Sequence, residues 1–476
     1  MRNHHHTALR GWMMAVAAVL AGGVRAQTQP GIEELGRTSP EGLTAEQVGV
    51  RARDTSFDAL ASAENLRAAA ARVDQAWVQF LPRLTGTARY SRLSTVTPIS
   101  FGGSLVATPA PAGTPDPTPT EAVNLSYPPV LDNYLLQASF AVPISDYFLR
   151  IAQNYSAASR SAEASRLDLA AARAKAYSDG KVAYYSWMRA RAAVDVALQA
   201  LADQQNHLSD ASNQFAAGTA SRADVLRAQT NVANAELQLE KARDLAALSE
   251  KQVRIALHTG EERPLVPGEP LEGVVPPLPP DVQLLTREAL EGRPELKSVD
   301  ASLLALEKQV SIARAGYVPV LSGFADYEYA NPNERRFPPT SEWTATWDVG
   351  VRLTWSPNDA WSASANAREA VARAASLRAQ KGRVRDGIEL EVTQAWLNAR
   401  TADQSIISSQ QELDSATEAY RVARDLFING RTTSTTLTDA ETELTRSRLD
   451  LLNSRADARV ARVNLDHALG RDAHER

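Results

Sequence analysis

Few side chains in this sequence could do chemistry, and they lie far apart. Past residue 26 the histidines are His207, His258, His467 and His474, the one methionine is Met188, and the whole chain has no cysteine. General acid–base and nucleophilic catalysis need a base within reach of a reacting group. A metal centre needs three or four ligands at motif spacing. Neither pattern occurs: there is no H-E-x-x-H, no G-x-S-x-G and no phosphate-binding glycine loop. His207 falls in a helical tract and reads as solvated or bridging rather than as a ligand. A lone thioether cannot build a soft-metal relay for copper or silver. No enzymatic activity, cofactor or metal is expected. The absence of cysteine also removes disulfides and a cysteine-linked lipid anchor.

The elements that hold these residues begin with an export signal. Arg2 and Arg10 flank the approach to an apolar stretch, Trp12 to Leu20, that is too short to span a bilayer. Val24-Arg25-Ala26 then gives a small-residue cleavage site, so residues 1–26 read as a signal peptide. Losing Arg2, Arg10 and Arg25 takes 51 basic residues to 48 against 56 acidic, a net of −8. That charge argues against nucleic acid as a partner. No later run of eighteen apolar residues occurs, so a place in a membrane requires a β-barrel.

The chain repeats itself. Phe80-Leu81-Pro82-Arg83-Leu84-Thr85-Gly86 resembles Tyr317-Val318-Pro319-Val320-Leu321-Ser322-Gly323, and Phe215 to Gly218 resembles Phe427 to Gly430. Proline is missing from Ile144 to Arg263 and again from Asn358 to Arg476. Such tracts, rich in Ala, Leu, Arg and Glu, predict long helices. Gly218 and Gly430 divide each tract into a helical hairpin, because glycine tolerates the left-handed conformation that ends a helix. The second arms carry heptads. One series is Val225, Val232, Leu239, Ala246, Val253; the other is Leu437, Leu444, Leu451, Ala458, Leu465. Smaller residues three positions on allow close coiled-coil packing.

Before each tract the period changes to two. Trp343, Ala345, Trp347, Val349, Val351, Leu353 and Trp355 alternate with Thr344, Thr346, Asp348, Gly350, Arg352 and Thr354. Tyr134, Leu136, Ala138, Phe140, Val142 and Ile144 form the matching stripe in the first half. Strands near Leu84–Ser91 and Ala325–Tyr329 complete two hairpins. An apolar stripe with aromatics near its ends suits a membrane strand. The connection from Ser94 to Asp132, rich in Pro, Gly, Ser and Thr, reads as a mobile loop. Four strands cannot close a barrel, so open edges must pair between chains.

The division that results is residues 1–26, a signal peptide; 27–257, a first repeat with strands over 84–144 and a hairpin over 146–257; 258–286, a Pro-rich linker; 287–470, a second repeat with strands over 320–356 and a hairpin over 360–469; and 471–476, a tail.

This order resembles the TolC outer-membrane factor family over nearly all of the mature chain. Ala289-Leu290-Glu291-Gly292-Arg293-Pro294-Glu295-Leu296 resembles that family's "AL..RPEL" helix start. Phe215-Ala216-Ala217-Gly218-Thr219 and Phe427-Ile428-Asn429-Gly430-Arg431 resemble its aromatic-x-x-Gly tips. The resemblance implies an α+β membrane protein: a trimeric 12-stranded β-barrel, four strands per chain, continued by a long α-helical coiled-coil periplasmic tunnel. It implies a channel in the outer membrane, the exit duct of a tripartite efflux or type I secretion system. Its partners would be two further copies, a periplasmic membrane-fusion adaptor, an inner-membrane pump or ABC transporter, and outer-membrane lipids. The Pro-rich linker would lie in a belt around the tunnel's middle.

The resemblance also places a periplasmic gate. Asp439 matches an acidic constriction position; the other acidic position falls on Thr436. The gating aromatic falls on Phe427, which has no hydroxyl, and the bridging arginine on Thr432, next to Arg431. Asp224 keeps the acidic partner, which makes Arg431–Asp224 a substitute bridge. Gly218, Thr219, Gly430 and Arg431 would meet the adaptor. The competing reading makes Asp224, Asp439 and Arg431 ordinary solvated residues near a turn. For the whole chain, the alternative is a periplasmic coiled-coil adaptor or structural protein.

Overall fold

The computed structural model describes residues 39, 41–95, 100–104, 122–126, 129–258, 265–273 and 275–473. The signal peptide, His474 and most of the connection from Ser94 to Asp132 lie outside the described residues.

Among the described residues the helices begin with α1 (Ala45–Thr55) and α2 (Phe57–Val78). Thr44 caps α1 in a capping box with Gln47, and Ser56 caps α2. Strand β1 (Arg83–Arg92) leads to a small pair, β2 (Ser100–Ser104) and β3 (Ala122–Ser126), then to β4 (Asp132–Val142). The loop expected to be mobile therefore contains a paired ribbon. The chain turns through a short helix α3 (Ile144–Asp146) and a π-helical turn (Tyr147–Ile151) into α4 (Ala152–Ala216). The hairpin expected from 146 opens in the structure with this π-helical turn before α4 begins. Helix α5 (Arg222–Leu257) returns.

After the Pro-rich segment come α6 (Val282–Gly292), α7 (Pro294–Arg314), β5 (Val320–Asn331), β6 (Thr344–Thr354), α8 (Pro357–Ile428) and α9 (Ser434–Leu469). Pro294 and Pro357 open their helices, where a missing N–H costs nothing. With 72 residues, α8 is about 108 Å long at ~1.5 Å per residue. The α9 heptad faces inward, with Leu437, Leu444, Leu451, Ala458 and Leu465 all buried; of the α5 series Leu239 and Val253 are buried and Val225, Val232 and Ala246 half-buried.

The main sheet runs β1-β4-β5-β6, antiparallel throughout, with β1 and β6 as its edges. Asp326 pairs with Ser139 on one side and Asp348 on the other. The alternation read from β6 is real, but its burial is reversed from that of a soluble sheet. Trp347 and Val349 are 71% and 69% exposed, whereas Thr346 and Asp348 on the other face are half-buried.

Helices α4 and α9 lie antiparallel, tied by Arg189–Asp457 at 2.9 Å and Arg448–Asp203 at 2.9 Å. The Pro-rich segment crosses the middle of the bundle. Pro279 O accepts from Trp396 Nε1 at 2.8 Å, Pro276 O accepts from Arg462, and Pro267 pairs with Leu43. Here Tyr184, Tyr185, Trp187 and Val253 form a core with Val48. Burial, with the nearby Glu269 carboxylate, pushes the Tyr185 hydroxyl up to about 12.

Candidate functional site at the hairpin tips

Both hairpins end in the same backbone motif. Gly218 has φ +80° and Gly430 φ +67°. Thr219 N–H donates to Gln214 O at 2.9 Å, and Arg431 N–H to Leu426 O at 2.8 Å, the six-to-one bond that closes a helix end. A Cβ on either glycine would touch nothing, so the left-handed backbone alone selects glycine. The return helices are then capped, α5 by Ser221 with Asp224 and α9 by Thr433 on Thr436 N.

The tips touch each other. Gln214 Nε2 donates to Phe427 O at 2.7 Å, and Arg227 Nη1 to Thr435 Oγ1 at 3.1 Å. Ala211, Ala228, Ala423, Phe427 and Leu437 form a small core between them. Phe427 is 3% exposed. The structure thus puts it inside this core rather than on the surface, where a gating aromatic would stand. Its position was legible: Ser409, Ala416 and Ala423 run seven apart along the buried stripe of α8, and Phe427 follows one turn later.

The remaining gate residues divide. Asp439 is exposed on the second turn of α9, Arg431 is exposed at the turn, and Thr432 is half-buried. Thr436 is held by Thr433, Oγ1 to Oγ1 at 3.1 Å. Asp224 accepts from Ser221 Oγ at 2.7 Å and pairs with Arg227 at 3.5 Å. The Ser221 hydrogen bonds, aided by the Arg227 charge, hold the Asp224 carboxyl below its ordinary value. Arg431 is not among its partners within the chain, where Asp224 instead closes the capping box with Ser221 and pairs with Arg227.

Sequence reasoning missed a buried polar cluster beside this core. His207 Nδ1 lies 2.9 Å from Glu441 Oε2, and its Nε2 lies 3.1 Å from Ser434 Oγ. The ring meets Phe427 edge to face at 5.3 Å. His207, Glu441 and Ser434 are 1%, 3% and 4% exposed. His207 is thus bridging and not solvated. The signal was in α9: Leu437, Glu441 and Leu444 share one face, and a carboxylate on an apolar stripe needs a buried partner.

A second charged cluster lies near the end of α9. His467 Nδ1 is 2.6 Å from Asp472 Oδ2, and Arg293 holds Glu295 and Glu391. Burial pulls the His467 pKa down, but the hydrogen bond and charge of Asp472 outweigh it and the net is a rise. Among the described residues no three His, Asp or Glu converge as metal ligands.

A model of the outer membrane efflux protein family matches residues 48–258 and 285–471. The toluene efflux pump outer membrane protein TtgF of Pseudomonas putida is 29% identical over 152 residues, 30% of this chain and 30% of that protein. The antibiotic efflux pump outer membrane protein ArpC of Pseudomonas putida is 23% identical over 291 residues, 60% of this chain and 59% of that protein. The chain thus matches well under two thirds of the length of either relative. Solved structures share the fold. The outer-membrane channel OprN superposes with a TM-score of 0.73 at 20% identity, covering 90% of this chain and 89% of that one. The CmeC outer membrane channel of Campylobacter jejuni gives 0.72 at 16% identity, covering 92% and 91%. These likenesses do not favour a periplasmic adaptor. With most of its length inside the family's bounds, the chain belongs to the outer membrane efflux protein family and is an outer-membrane protein, not an enzyme.

Proposed function

We propose that this chain is one third of an outer-membrane exit duct, a homotrimer that passes substrates delivered by an adaptor and an inner-membrane pump or ABC transporter. One observation carries the reading. The sheet exposes an apolar face, with Trp347, Val349, Val351 and Leu353 each at least 67% exposed, and leaves both edge strands unpaired. An apolar face suits lipid, and open edges in a membrane must be closed by another chain. Three four-stranded sheets, β6 of one beside β1 of the next, make a 12-stranded barrel. Among the described residues no helix is long and apolar enough to cross a membrane.

In this reading residues 27–257 and 287–470 are two repeats of one unit, joined by the linker at 258–286. The hairpins form the periplasmic tunnel, and their tips at Gly218, Thr219, Gly430 and Arg431 meet the adaptor. Asp439 supplies a three-fold acidic ring at the entrance, with Thr432 and Thr436 beside it. Arg431 reaches a neighbouring protomer's Asp224, and Phe427 supports the gate from the tip core. The mass of the detergent-extracted particle tests the assembly: a trimer supports the barrel, and a stable monomer overturns it.

A further inference from the structure

The loop joining β5 to β6 folds back over the polar face of the sheet. Asn333 is 2% exposed, and its Nδ2 donates to Thr344 O and to Thr346 Oγ1, both at 3.1 Å. Its Oδ1 accepts from the Arg335 N–H at 3.0 Å, which turns the loop and aims the guanidinium along β6. Arg335 Nη2 then meets Asp348 Oδ1 at 2.5 Å. From Thr344 to Asp348 is about 13 Å of strand at ~3.3 Å per residue, so the loop lies along the sheet.

What it covers is a carboxylate pair. Asp348 stands directly opposite Asp326 in the β5–β6 register. Like charges so placed repel. Ser139 Oγ and Gln137 Nε2 hold Asp326, at 2.5 and 3.4 Å, while Arg335 holds Asp348. The Arg335 charge also acts on Glu328, which pairs with Thr346 on the same face. This loop is at the end of the sheet away from α7 and α8, which join β5 and β6 at Val320 and Thr354.

We propose that the β5–β6 loop is a lid built into the outer mouth of the channel. Three copies, anchored by Asn333 and latched by Arg335 to Asp348, narrow the exit and screen its carboxylates. The proposal rests on the barrel reading, in which the polar face lines the lumen. Asn333 is the fixed point. The Arg335–Asp348 pair is partly exposed on both sides, and such pairs break readily, so a departing solute can displace the latch.

The absence of cysteine gives a clean test. Glu328→Cys, beneath the lid, is labelled in intact cells with a membrane-impermeant polyethylene-glycol maleimide. The rate is compared with that in an Asn333→Ala, Arg335→Ala background, with Glu334→Cys on the exposed loop as a control. The lid predicts several-fold faster labelling of Glu328→Cys when the anchor and latch are gone, and no change at Glu334→Cys. Equal rates at Glu328→Cys in the two backgrounds overturn the lid and leave the barrel standing. If Glu334→Cys labels in detergent but not from outside the cell, the barrel's orientation is wrong and the lid falls with it.

Discussion

His207 on α4 and Glu441 on α9 are partners, Nδ1 to Oε2 at 2.9 Å, and both are shut off from solvent. The contact joins the first hairpin to the second one turn from the tip core. Removing one member leaves the other buried without its hydrogen-bond partner, at a cost of about 1–3 kcal/mol, whereas replacing both with apolar side chains can be nearly neutral.

His207→Phe and Glu441→Leu should therefore each lower stability by about 2 kcal/mol, and the double variant by clearly less than their sum. Denaturant unfolding of the four proteins checks this. Additive losses would mean that the two side chains do not act as a pair.

Stability should also depend on His467. Its pKa is raised in the fold, so protonation favours the folded state. The contribution is complete below the unfolded value of about 6.5 and fades as pH rises through the folded value. The melting temperature of the native protein minus that of His467→Gln should be greatest near pH 6 and shrink toward pH 9. A constant difference would show that Asp472 does not hold the charged imidazole.

The turn glycines make a backbone prediction. Gly430→Ala should cost about 1 kcal/mol, because φ +67° is unfavourable for a residue with a Cβ although the space is open. Gly430→Asn should cost less, since asparagine tolerates that conformation. Equal melting of all three proteins would mean that the turn relaxes without strain.

Asp439 carries the gate prediction. Three carboxylates around one axis attract multivalent cations. Asp439→Ala should weaken block by such cations in single-channel recordings, and unchanged block removes Asp439 from the ring.

Much of this architecture could be read from periodicity. The apolar stripe from Trp343 to Trp355 contains β6, and the paired glycines lie at both turns. These signals are local, set by side-chain spacing and backbone sterics. The β2–β3 ribbon was not legible, because five-residue strands such as Ser100–Ser104, with two glycines, have too little length for a pattern. His207 was read without its partner because Glu441 is 234 residues away. Phe427 was placed by the resemblance of its turn, although the stripe of α8 already put it inside. Sites that depend on packing between distant helices are written in neither helix alone.

The most direct measurement is planar-bilayer conductance of the mature protein, fractionated from cell envelopes and sized before reconstitution. The account predicts small, discrete, cation-selective steps, set by the proposed Asp439 ring near the hairpin tips at the entrance of the helical tunnel. A particle that fractionates as a soluble monomer and conducts nothing would contradict it.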